Sequence, residues 1–143
     1  MKIQIPNKHV VKTINFLYEM PLKGRQSRHR TKLVKLLDAH LVTVTDDERQ
    51  LLKEHCHLNE EENPKTIEVN GQEIWDVKDA EAYSKDRTEL LEELFILEGG
   101  AHEALVATVS NALEEYDGDL QGPDAVFYDV LCEVFESAQD EEQ

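Results

Sequence analysis

The sequence predicts an α+β fold that is mainly helical, with five or six helices, a short N-terminal strand and a small β-hairpin. Three observations predict it. Apolar residues recur at helical spacing in successive stretches, Asn70-Gly71 lies between two β-prone runs, and Lys2–Ile5 alternates polar and apolar up to Pro6. The 143 residues amount to one domain, and an apolar fraction of 40% supports a core. Residues 1–135 are expected as a single domain, with 136–143 (ESAQDEEQ) as a mobile acidic tail.

Lys2–Ile5 reads as a short edge strand that Pro6 stops, with Asn7 as the N-cap of the helix that follows. In that helix Val10, Val11, Ile14, Leu17 and Tyr18 form one apolar stripe, which Pro21 and Gly24 end. A second helix is expected from near Ser27, with Leu33, Val34, Leu36, Leu37 and Leu41 inward. The β-branched run Val42-Thr43-Val44-Thr45 weakens helix propensity, and Thr45-Asp46-Asp47-Glu48 matches a capping box. Two helices, or one from about 27 to 57, both fit.

After a polar connection, Thr66–Val69 and Gln72–Trp75 flank Asn70-Gly71, whose residues tolerate the positive φ of a type I′ turn. Asp76 is placed to cap a helix carrying Val77, Ala80, Tyr83, Leu90, Leu91 and Leu94. Phe95-Ile96-Leu97 suits either its last turn or a brief strand before Gly99-Gly100. Two further helices carry the stripes Leu105, Val109, Ala112, Leu113, Tyr116 and Val126, Phe127, Val130, Leu131, Val134, Phe135, the second opened by Gly122-Pro123.

Fifteen Lys/Arg against thirty-one Asp/Glu leave a net charge of −16. Nine of the cations and one acid, Glu19, fall in residues 2–37, giving +8 there and −24 over the remainder. The basic end could bind phosphate or dock on the molecule's own acidic part. The overall acidity argues against general duplex binding, which draws most of its affinity from phosphate contacts. No apolar run approaches the ~20 residues of a membrane span, and no signal peptide is visible. Cys56 and Cys132 suit reduced intracellular thiols better than a disulfide framework.

Chemistry is sparse. His55-Cys56-His57 has no further metal ligands at a matching spacing, and adjacent helical residues point about 100° apart. Asp117, Asp119 and Gln121 resemble half a calcium loop, but Tyr128 stands where a bidentate glutamate is needed. No nucleophile elbow, Walker loop, HExxH or dinucleotide fingerprint occurs, so the chain reads as a non-enzyme without metal or cofactor. Two charged sites remain. Lys23, Arg25, Arg28, Arg30 and Lys32 open a helix and form a basic docking element, without interleaved aromatics for base stacking. Glu114, Glu115, Asp117, Asp119, Asp124 and Asp129 gather at one interhelix turn and form an acidic partner-binding face.

Asn7-Lys8-His9, Asn15-Phe16-Leu17 and the segment Leu22-Lys23-Gly24-Arg25-Gln26-Ser27-Arg28-His29-Arg30-Thr31-Lys32-Leu33 together resemble an uncharacterised family of small phage and prophage proteins of Gram-positive bacteria. The likeness covers about the first 55 residues, weakens up to about Leu97 and has no counterpart over 100–143. It brings no catalytic residues. It implies a viral accessory protein acting in the host cytoplasm. With the charge layout, the expectation is a protein that binds a host protein with a basic surface. In its sharpest form it inhibits a nucleic-acid-binding defence enzyme, such as a CRISPR nuclease, by acidic-surface mimicry. The alternatives are a virion or tail-assembly protein, or an RNA/DNA binder through residues 23–35. Membrane association is not expected.

Overall fold

The computed structural model describes residues 1–140. Its elements run β1 (Lys2–Pro6), α1 (Asn7–Glu19), α2 (Gly24–His55), β2 (Thr66–Val69), β3 (Gln72–Trp75), α3 (Ala80–Glu92), β4 (Leu94–Glu98), a 3-10 turn (Gly100–His102), α4 (Glu103–Glu114) and α5 (Gly122–Asp140). This is the mainly helical α+β fold with an N-terminal strand and a hairpin. The chain expected as one domain divides into two compact units. The first comprises Met1–Leu41 and the residues from Leu94 onward, the second Val42–Glu93.

In the first unit β1 pairs antiparallel with β4, with Ile3 opposite Leu97 and Ile5 opposite Phe95. Alternation turns these four side chains to one buried face, while Leu94 and Ile96 point outward. Val10, Thr13 and Leu17 of α1 are buried with them, at spacings of three and four residues. The sequence stripe was rotated: Val11 and Tyr18 are 49% and 73% exposed, and Thr13 takes the inward place. Thr13 can be buried because its hydroxyl donates to the His9 carbonyl at 2.8 Å. Asn7 is the first helical residue, and Pro6, which has no side chain able to cap, takes the N-cap position expected for Asn7. Its side-chain oxygen instead meets His40 Nε2 at 2.6 Å.

α5 supplies Phe127, Leu131, Phe135 and Ala138 to the same core, whereas Val126 is 67% exposed. Spacings of four, four and three keep the buried four on one stripe, and Val126 falls outside it. α4 contributes Leu105, Val106, Val109, Ala112 and Leu113. Glu136–Asp140, expected in the mobile tail, continue α5. The rest of that expected tail lies outside the described residues.

α2 is one helix of 32 residues, so the β-branched run does not interrupt it and the capping box at Thr45 is not a start. Propensity costs of a few tenths of a kcal/mol per residue are small beside the burial of Val44 at 5% exposure. In the second unit the hairpin has the predicted residues and register, with Asn70 and Gly71 at φ 52° and 80°. Every residue of both strands is exposed. A lone hairpin is marginal in water, and here backbone bonds tie its base: Asp76 to the Lys65 carbonyl at 2.9 Å and His57 to the Asp76 carbonyl at 3.0 Å. Asp76 is thus part of that ladder, and Asp79 caps α3 by accepting from Glu81 and Ala82. His55 at the end of α2 meets Asp86 of α3 at 2.7 Å.

Candidate partner-binding site

The turn between α4 and α5 is built on aromatic rings. Phe16 of α1 stacks on Tyr128 at 5.7 Å, and Tyr116 lies 5.7 Å from Phe16 and 5.5 Å from Tyr128. These separations are within the range where aromatic pairs attract beyond their buried area. The Tyr128 hydroxyl donates to the Leu113 carbonyl, which also accepts from the Tyr116 backbone at the end of α4. A Cβ at Gly118 would overlap the hydroxyl end of Tyr116, so a larger residue there would displace that ring.

All six expected carboxylates are exposed, and none makes an ion pair with a described residue. Four of them divide between two hollows. Asp119 and Asp124 line a hollow of about 400 Å³ together with Phe16, Tyr116 and Phe127. Glu115 and Asp117 line a second hollow of about 210 Å³ that also touches Tyr116, and Glu115 accepts from the Gln26 amide at 3.1 Å. Burial pushes the Cys132 thiol up, a hydrogen bond with Tyr128 opposes the rise, and the charges of Glu136, Asp129 and Glu114 add to it. Glu19 joins Asp119 and Asp124 at the larger hollow. Sequence reasoning passed over it, although it is the single acid among residues 2–37.

The five cations of the basic segment do not share one orientation. Arg30 turns inward: its Nη1 donates to the carbonyls of Leu17, Tyr18 and Met20 at 2.7, 3.2 and 2.9 Å. It closes the C-terminal end of α1, where carbonyls and dipole both favour a cation. Lys23, Arg25, Arg28 and Lys32 are exposed. Among the described residues none of the four pairs with an acid, so the expected docking onto the chain's own acidic part is not made through them. Arg25, Arg28, Lys32 and Lys35 follow one another at spacings of three, four and three, one face of α2. Partial burial, and then the charges of Arg25, Lys32 and Arg28, hold the His29 imidazole below its usual range.

Burial, with the hydrogen bond to Cys132 next, pushes the Tyr128 phenol up to about 12. An unfolded tyrosine titrates near pH 10. Between roughly pH 10 and 12 the unfolded chain therefore binds fewer protons than the folded one, so stability falls as pH rises through that window. Tyr128→Phe should flatten this alkaline loss while costing about 1 kcal/mol at neutral pH through the lost bond to Leu113. Urea midpoints of both proteins at pH 8 and pH 11 check it; equal alkaline losses would contradict the assignment.

Among the described residues no three His, Cys, Asp or Glu converge as a metal-ligand set, and no helix is long and apolar enough to cross a membrane. Cys56 is buried and its thiol pushed up chiefly by burial. No protein-family model, curated protein or solved structure matches the chain.

Proposed function

We propose that the chain is a non-enzymatic binding protein whose acidic turn between α4 and α5 captures a basic surface of another protein. With the N-terminal resemblance, that makes it a phage accessory protein acting in the host cytoplasm. Its sharpest form is inhibition of a nucleic-acid-binding defence enzyme, such as a CRISPR nuclease, at the surface meant for nucleic acid. The observation that carries the reading is that six carboxylates stand exposed without a cation partner among the described residues. Unneutralised acids raise the rate of encounter with a basic surface and impose a salt dependence on it. Neutralising all six to Asn or Gln is expected to preserve the fold, since exposed charges contribute little stability.

Copurification from an expressing host tests the reading. A basic, nucleic-acid-binding enzyme should accompany the wild type and be lost with the six-residue variant. A capsid or tail protein retained by both would move the chain to virion or tail assembly.

A second reading, RNA or DNA binding through residues 23–35, is favoured by the stripe Arg25, Arg28, Lys32 and Lys35, which makes no ion pair with a described residue. Its signature is tight binding to naked nucleic acid at about 150 mM salt that weakens steeply as salt rises.

A further inference from the structure

The larger hollow at the acidic turn has a composition that the carboxylates alone do not explain. Its volume of about 400 Å³ falls in the range of small-ligand sites, roughly 300–1,000 Å³. Phe16 and Tyr116, both half-buried, and the buried Phe127 line it. Three carboxylates, Glu19, Asp119 and Asp124, stand against one cation, Lys12. None of these four makes an ion pair with a described residue.

Aromatic side chains beside carboxylates that have no ion-pair partner among the described residues suit a group that is flat, cationic and carried on an apolar stem. A guanidinium stacks on an aromatic face and gives a carboxylate two parallel hydrogen bonds, whereas an ammonium is a strongly hydrated point charge. We propose that this hollow seats a single arginine side chain from a basic segment of the partner, its guanidinium held by Asp119, Asp124 and Glu19 and its stem laid over Phe16 and Tyr116. The inference rests on the reading of the acidic turn as a partner-binding surface and names what that surface recognises. It divides the six acids by role: Asp119 and Asp124 hold the anchoring side chain, and the other four attract the rest of a basic segment.

The test uses the full chain and two probes, hexa-arginine and hexa-lysine peptides, titrated by calorimetry at about 50 mM salt, where surface charge is only partly screened. Three variants are compared, with circular dichroism confirming that each is folded: Asp119→Asn with Asp124→Asn; the remaining acids of the turn, Glu114→Gln, Glu115→Gln, Asp117→Asn and Asp129→Asn; and Asp38→Asn with Glu98→Gln, two exposed acids elsewhere. The wild type should prefer hexa-arginine. The first variant should lose about tenfold in hexa-arginine affinity, the scale of one charge-assisted pair, and lose the preference over hexa-lysine. The second should weaken both peptides alike and keep the preference. The third should change either affinity less than twofold.

If the first two variants lose affinity alike and the preference is absent from the wild type, the hollow is not a seat. The acidic turn then still stands as a diffuse binding face. If the third variant loses as much as the first, both the seat and the proposed function fall, because any acidic surface of this chain would serve.

Discussion

Phe135→Ala should destabilise the protein by about 3–5 kcal/mol, the usual cost of deleting a buried aromatic ring. Phe135 is 1% exposed and lies in the core with Leu131 and Ala138 of the same helix. Val126→Ala, from the same sequence stripe, should cost less than about 0.5 kcal/mol, as surface changes do, because Val126 is 67% exposed. Urea unfolding of both variants checks the contrast. A Phe135→Ala loss below that of Val126→Ala would mean that α5 is rotated from its described seat.

The second large effect is expected at Arg30. Arg30→Met should cost about 2–3 kcal/mol, because it removes a charge-assisted cap and orphans carbonyls at the end of α1. Arg28→Met, exposed on the same helix, should stay within about 0.5 kcal/mol. Arg30→Lys should recover only part of the loss, since an ammonium does not present the planar fork of Arg30. A loss at Arg30 equal to that at Arg28 would contradict the capping role. The same geometry shapes tests of the basic stripe. Reversing charge at Arg25, Arg28 and Arg30 together would confound binding with unfolding, so Arg25, Arg28 and Lys32 are the informative set.

What the sequence made legible follows local chemistry. Asn70-Gly71 specifies its turn through backbone conformations few other residues adopt, and both hairpin strands came out as expected. Pro21 separates α1 from α2, and Gly122-Pro123 opens α5, by similarly local constraints. Phe95-Ile96-Leu97 was ambiguous because its choice is not local: it becomes β4 by pairing with Lys2–Pro6, at the far end of the sequence. Thr45-Asp46-Asp47-Glu48 carried a start signal that lies within the continuous helix α2.

The inward stripe of α1 was misplaced because Thr13 was excluded as polar and Tyr18 accepted as apolar. A hydroxyl bonded back to the His9 carbonyl lets Thr13 be buried, while Tyr18 stands 73% exposed. At the site, the acidic turn was legible as charge density. Its division around Tyr116 was not, and neither was the arrival of Glu19 from α1, because both depend on which helices pack together. Arg30 looked like its neighbours in a basic run. Only the end of α1 beside it sets it apart.

The acidic turn is proposed as a recognition surface rather than a solubilising one. It is tested most directly by the association rate with the copurified host protein. That rate is to be measured for the wild type and for the variant with Glu114, Glu115, Asp117, Asp119, Asp124 and Asp129 neutralised, across a salt series. At low salt the rate should be at least about tenfold lower for the variant, the gap should close as salt rises, and competition with nucleic acid should be lost. A folded variant that associates and competes as well as the wild type at every salt concentration would contradict the proposal.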